Sequence, residues 1–287
     1  MNEDMNELLL KSVEVLPPLP DTVMKLRKYT DEAGAEVDTK KVAQIIQADP
    51  VVTAKLLQLA NSPFYGFTSE ITTITQIITL LGIGNIKNIV IANSIRDNFK
   101  IDVSPYGLDT QAFLANCNEE VNFITHWLGE EDVRLSRSLV PCAMLLRLGI
   151  IVFSNFLIQE KKDKIFYALL EKNKFKNITM VENEILGVDH ISFLGFLLHR
   201  WNFDESLIES ICFVNTPHSA DDSIKKAAYA LAITDRLFAP YSNNSPFRAK
   251  AAVALVKEAI SVGVPFKLKT FIDKLPAKAV ENLDKED

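Results

Sequence analysis

The residues that could carry chemistry are few: four histidines, His126, His190, His199 and His218, and three cysteines, Cys117, Cys142 and Cys212. No two histidines stand in an HExxH or HxxxH spacing, which would set two imidazoles on one helix face, so any metal site has to be assembled from distant segments. The cysteines include no two-residue-spaced pair, which removes a zinc ribbon and a redox dithiol. There is no glycine-rich phosphate loop of the Walker or dinucleotide type, and no serine in a nucleophile-elbow context. Cradles and elbows of those kinds are excluded.

The elements that must position these residues read as helices. Apolar residues recur at three and four, and no Asn-Gly or Asp-Gly hairpin signal occurs, so the chain is expected to be all-α with about a dozen helices. The first long helix runs from near Asp21 to Gly34, with Val23 and Leu26 along it. Asp38 or Thr39 opens a second. Asp49-Pro50 opens a third as N-cap and first helical residue, burying Val51, Leu56, Leu57 and Leu59 before Asn61-Ser62-Pro63 ends it. Thr73 caps a segment carrying Ile74, Ile77, Ile78 and Leu81 that stops at Gly82, and another begins after Ile83-Gly84. Helices then follow from about Thr110 to Leu128 and from Ser138 to Ile158. Thr179 to Glu182 fits a capping box, and that helix closes at Gly187. Four more start near Asp189-His190, Asp204, Asp221 and Ser245, and the terminal 281–287 reads as a frayed end.

Composition sets the class. The 287 residues are 48% hydrophobic and 24% charged, with twelve Pro and ten Gly, which fits a folded chain nearly end to end. A net charge of −6 supplies no global attraction to nucleic acid or an anionic membrane. The apolar run 142–158 contains Arg147 and Asn155 and reads as a buried helix, without membrane insertion. The acidic start MNEDMNELLLKSVEV has no signal-peptide pattern, and an odd number of cysteines in apolar contexts suits buried free thiols. Both point to the cytoplasm.

The segment Leu16-Pro17-Pro18-Leu19-Pro20, then Ala43 to Pro50, Ala54 to Ser62, Ile77 to Gly82 with Ile89-Val90, and later Glu184 to His190, Gly195 to Leu198 and Trp201, resembles the HDOD family, the HD-related output domain of bacterial signalling proteins. The likeness divides the chain into an N-terminal helical arm (1–13), an HDOD-like domain (14–215) and a C-terminal helical extension packed on it (216–287). HD phosphohydrolases hold a divalent metal with a His, a His-Asp dyad and a later Asp. Carried onto this sequence, those positions fall near Asn116, on Arg147-Leu148, and on Asp235. Further histidines of some branches fall at Val214-Asn215, and His190 is the remaining candidate ligand. One His and one Asp are too few for a hard cation, and the cation of Arg147 would repel one. The resemblance thus implies a degenerate site with no metal, cofactor or catalytic residue, in which Arg147 occupies the vacated position and pairs with Asp235.

The expected function is that of a non-catalytic signalling output module acting on a partner, another signalling protein, with the oligomeric state left open. An HD-type phosphohydrolase using His190, Asp235 and further carboxylates on a nucleotide or cyclic dinucleotide is the alternative. A second alternative is nucleic-acid binding through the turn Gly82, Gly84 and Lys87, whose amides could grip a phosphate. Plainer roles compete throughout. His190 can be a cap or a satisfied buried polar group, Asp235 can face solvent, and Asp49-Pro50 and Asn61-Ser62 can be architecture. His126, His199 and His218 read as surface or packing residues. The basic clusters at Lys40-Lys41, Lys161-Lys162, Lys172-Lys174 and Arg248-Lys250 read as solvated faces.

Overall fold

The computed structural model describes residues 20–62, 65, 67, 69–98, 100–175, 177–201, 203–239 and 248–283. The arm 1–13, the prolyl segment through Leu19, Ser245 and residues 284–287 lie outside them. The described residues form sixteen α-helices with three short 3₁₀ turns and no strand. They are α1 (Asp21–Ala33), α2 (Thr39–Gln47), α3 (Pro50–Ala60), α4 (Ile74–Leu81), α5 (Ile83–Asn98), α6 (Thr110–Glu131), α7 (Val133–Leu145) and α8 (Leu148–Gln159). Then come α9 (Asp163–Lys172), α10 (Ile178–Leu186), α11 (His190–Arg200), α12 (Glu205–Cys212), α13 (Asp222–Leu237), α14 (Ala249–Ser261), α15 (Leu268–Asp273) and α16 (Ala277–Leu283). The excess over a dozen has two sources. The run expected from Ser138 to Ile158 starts earlier and breaks at Leu146-Arg147, and short helices such as α15 and α16 are too brief to show a periodicity.

Several ends form as their residues dictate. The Asp49 carboxylate accepts from the amides of Val51 and Val52, Pro50 sits where no amide is needed, and Thr22 donates to the same carboxylate at 3.0 Å, tying α1 to α3. Asn61 brackets Ile71 with two bonds of 2.7 Å, so the polar end of α3 is architecture. Thr73 and Gln76 form a full capping box. Gly82 then takes φ +83°, open to glycine and strained for other residues, and α4 and α5 meet at 115°.

Three expectations need correction. Val51 is 62% exposed, because the first turn of α3 points it away from the face that buries Leu56 and Ala60. No capping box forms at Thr179. Asn177 precedes the helix, and Glu182 turns inward to a buried polar cluster. Cys212 is exposed, whereas Cys142 is buried, and among the described residues none of the three cysteines forms a disulfide.

One hydrophobic cluster extends from Val23 to Ala279. At its centre α8 buries nearly every residue from Leu148 to Leu157. The helical run 133–159 is long and apolar enough to cross a membrane, yet it breaks at Arg147 and is covered by protein on most of its surface. The C-terminal helices join the same core. Trp127 of α6 packs edge-on to Phe271 of α15 at 5.2 Å, and Phe123 lies 5.6 Å from Phe238 after α13.

Candidate functional site

Two buried polar clusters meet where α6, α8, α10, α11 and α13 converge. Arg147, at the break between α7 and α8, is 3% exposed. Its Nε donates to Glu120 Oε1 at 2.7 Å and its Nη2 lies 2.5 Å from the same oxygen. Nη1 reaches Asp235 Oδ1 at 2.5 Å, and Nη2 donates to the Asp235 carbonyl at 3.1 Å. The guanidinium therefore joins α6 to α13. Full burial pushes the Glu120 carboxyl up to about 7, against the lowering pull of Arg147.

The second cluster is centred on Glu182 of α10. It accepts the phenolic hydrogen of Tyr106 at 2.5 Å, the backbone amide of His190 at 3.0 Å and His190 Nδ1 at 2.8 Å. With a carboxylate as acceptor, Nδ1 carries the proton. Burial is the largest single influence on the His190 pKa and lowers it, but the charge and hydrogen bond of Glu182 together with the charge of Asp235 outweigh it, and the net direction is up. His190 Nε2 and Glu120 Oε2 are buried with no hydrogen-bond partner among the described residues. Asp189 caps α11 through the amides of Ile191 and Ser192, and Asn215 donates to it at 3.0 Å. Burial opposes its ionisation, yet the Ser192 hydroxyl and amide hold its carboxyl below the usual range.

Glycine makes the assembly possible. A Cβ on Gly149 would lie 2.2 Å from the His190 carbonyl oxygen, so only a bare backbone lets the first turn of α8 touch the start of α11.

Of the residues singled out in the sequence, Arg147, Asp235, His190 and Leu148 fall in or beside these clusters. Leu148 is a buried apolar residue beginning α8. Asn116 does not join. Its side chain donates to the Phe238 carbonyl at 3.0 Å, and the α6 residue that meets Arg147 is Glu120, one turn later. Asn215 reaches the region only through Asp189. His126, His199 and His218 are exposed. Glu120, Glu182 and Tyr106 were missed. Their signal was phase, since Glu120 shares an inward stripe with Phe113, Ile124 and Trp127, and Glu182 shares one with Ile178 and Leu186.

Gly82, Gly84 and Lys87 form the corner between α4 and α5, but Lys87 is turned to Asp204 Oδ1 at 2.9 Å and its side chain is only 13% exposed. Asp204 Oδ2 would lie 3.4 Å from a Cβ on Gly84, which puts a carboxylate beside the turn. A phosphate there would meet a charge of its own sign.

The residues present do not fit a divalent cation. Among the described residues no group of three or more His, Cys, Asp or Glu is placed to hold one, and a guanidinium lies between the two carboxylates nearest to it. The family model of the HDOD domain matches residues 16–217. The chain belongs to the HDOD family. Among solved structures, this HDOD chain is similar to a virulence factor from Campylobacter jejuni subsp. jejuni, at 71% identity over 100% of both chains with a TM-score of 0.65. It is similar in fold to an HDOD domain protein with unknown function from Geobacter sulfurreducens, at 19% identity over 97% of this chain and 96% of the other, TM-score 0.60. It also shares its fold with a protein from Shewanella amazonensis SB2B that is provisionally named a phosphohydrolase, at 24% identity over 96% and 93%, TM-score 0.62. No curated protein matches the chain. Asp235 lies beyond the matched segment, so the HDOD unit is joined to α13 through the Arg147 contact.

Proposed function

We propose that this HDOD protein is a non-catalytic output module of bacterial signal transduction, cytoplasmic, acting by binding another signalling protein, and that Arg147 fills the place a metal ion takes in HD phosphohydrolases. The observation that carries this reading is the guanidinium seated between Glu120 and Asp235. It is permanently charged, it pairs with one oxygen of each carboxylate that would otherwise attract a cation, and it repels one from the same space. In this reading residues 216–287 are an extension of a 14–215 unit and supply Asp235 as part of the replacement.

The competing reading is a phosphohydrolase with a rearranged site. Glu120 and Glu182 are carboxylates such a site could add to His190 and Asp235, and the unpartnered Nε2 of His190 favours some polar occupant. The guanidinium among them weighs against it.

The test is hydrolysis of nucleotides and cyclic dinucleotides with added Mg²⁺ or Mn²⁺, together with metal analysis of the purified protein. No turnover and no stoichiometric metal are expected. Turnover abolished by His190→Ala, or metal retained at one ion per chain, overturns the proposal.

A further inference from the structure

Helix α9 buries Phe166 and Leu170 and turns its opposite face to solvent. Lys164, Ala168 and Lys172 follow one another there at four-residue intervals, so they form one row about 12 Å long. All three are exposed. Lys161 and Lys162 precede the helix and Lys174 follows it, and the five ammonium groups make no ion pair or hydrogen bond among the described residues. Of the acidic residues interspersed with them, Glu160 and Asp163 are half-buried and only Glu171 is exposed.

The backbone gives these lysines a further meaning. After α4, α10 and α14 the residue that turns to positive φ is a glycine, namely Gly82, Gly187 and Gly263. At the two ends of α9 it is lysine, Lys161 at φ 55° and Lys174 at φ 52°. Both stand in helix-ending turns, closed by the Lys162 amide on the Leu157 carbonyl at 2.8 Å and the Phe175 amide on the Leu170 carbonyl at 2.9 Å. Such turns favour glycine, which has no Cβ to clash. A strained side chain kept at both ends of one helix points to a use for its charge.

Apolar side chains stand among the charges. Ile165 is 54% exposed next to Lys164, and Ile158 in the last turn of α8 is exposed as well. The residue types narrow the partner further, because no arginine occurs between Arg147 and Arg200. Protein interfaces are enriched in arginine and poor in lysine, and guanine edges are read by paired hydrogen bonds that suit a guanidinium. Lysine is a point charge on a flexible apolar stem, suited to a surface whose charges are mobile and whose interior is apolar. The net charge of −6 is no obstacle, since screening confines each charge to about 8–10 Å and leaves the local field in control.

We propose that α9 and its flanking turns dock on the surface of a membrane rich in anionic phospholipid, with Lys161, Lys164, Lys172 and Lys174 at the headgroups and Ile165 at the acyl boundary. The chain lies on the bilayer and does not span it. The inference goes beyond the signalling role above and does not rest on it.

Co-sedimentation of the full chain with vesicles tests it, using phosphatidylcholine alone and phosphatidylcholine mixed with phosphatidylglycerol in equal parts. At low salt the mixed vesicles are expected to bind about ten-fold tighter or more, and the difference should shrink as salt is added. A lysine near an anionic surface strengthens binding about five-fold, so Lys164→Gln with Lys172→Gln should weaken it about 25-fold. Lys161→Gly with Lys174→Gly should weaken it by a similar factor while raising the melting temperature, because glycine relieves both turns. Ile165→Ser should weaken it by a factor that salt leaves unchanged. Mixed vesicles bound no tighter than phosphatidylcholine, binding indifferent to these substitutions, or duplex DNA or poly-glutamate bound as tightly as the mixed vesicles overturns the proposal.

Discussion

The guanidinium of Arg147 and the carboxylate of Asp235, 88 residues apart in sequence, approach to 2.5 Å, with Glu120 held on the same guanidinium from the other side. Buried ion groups of this kind add little net stability when whole and cost much when one member is removed, because the remaining charge is stranded.

Arg147→Met is therefore expected to lower the free energy of unfolding by about 3–5 kcal/mol. Glu120 would be left fully buried, facing an apolar side chain. Asp235→Asn should cost less, since that side chain keeps some solvent contact and its carbonyl still accepts from Nη2. Arg147→Met combined with Glu120→Gln should recover a large part of the loss. Urea unfolding of the four proteins measures all three differences, and a double variant no better than Arg147→Met alone would show that the charge is not what matters.

The same cluster sets a pH dependence. Glu120 has its pKa raised from 4.5 to about 7 and His190 is raised above 6.5, so the folded state holds both protons more firmly than the unfolded chain. Their contributions are fully present below the unfolded values and are lost as pH rises, Glu120 between about 4.5 and 7 and His190 from 6.5 upward. Asp49, Asp132 and Asp189 are lowered, so their contributions are lost as pH falls below 3.8. The melting temperature should accordingly peak in mildly acidic solution and decline from pH 5 to pH 8. Glu120→Gln should flatten the decline between pH 5 and 7. A wild-type profile rising steadily to pH 8 would contradict the assignment.

Much of the fold is legible in the residues, and for local reasons. Asp49-Pro50, Thr73 with Gln76, and Gly82 act on their own turns, so their outcome depends on nothing distant. Arg147 and its pairing with Asp235 were legible only through the family resemblance, which places the two residues at ligand positions of the HD metal site. The second partner of Arg147 was not. Glu120 reads as one more acidic residue beside Glu119 until the inward phase of α6 is fixed by packing against α13 and α15. Thr179 to Glu182 misled for a related reason. A capping box and a buried ligand for His190 make the same demand for Glu at one position, and the nonlocal demand prevailed.

The close approach of α8 and α11 makes Gly149 a sharper test than its helical position would indicate. An added methyl would lie 2.2 Å from the His190 oxygen and 2.8 Å from its carbonyl carbon, both backbone atoms that cannot rotate away. Gly149→Ala should destabilise by about 1–3 kcal/mol or more, despite the higher helix propensity of alanine. Gly84→Ala provides the control, since its nearest neighbour is the Asp204 side chain at 3.4 Å. That variant should be neutral or more stable by up to about 1 kcal/mol. Thermal denaturation of the pair checks the contrast.

Lys87 separates a structural corner from a phosphate-binding one. Its ammonium and the Asn88 amide take the two oxygens of Asp204, each at 2.9 Å, and so fix α5 against the start of α12. Asp204 is 42% exposed, so solvent screens the pair and its worth is at most about 1 kcal/mol. Lys87→Glu should lower stability by somewhat more than that, because it sets two carboxylates face to face. Adding Asp204→Lys should restore part of the loss. In a duplex-retention assay at low salt, wild type and Lys87→Glu should behave alike. If the corner gripped phosphate, the pattern would invert: Lys87→Glu would abolish a salt-dependent retention and leave the unfolding curve where it was.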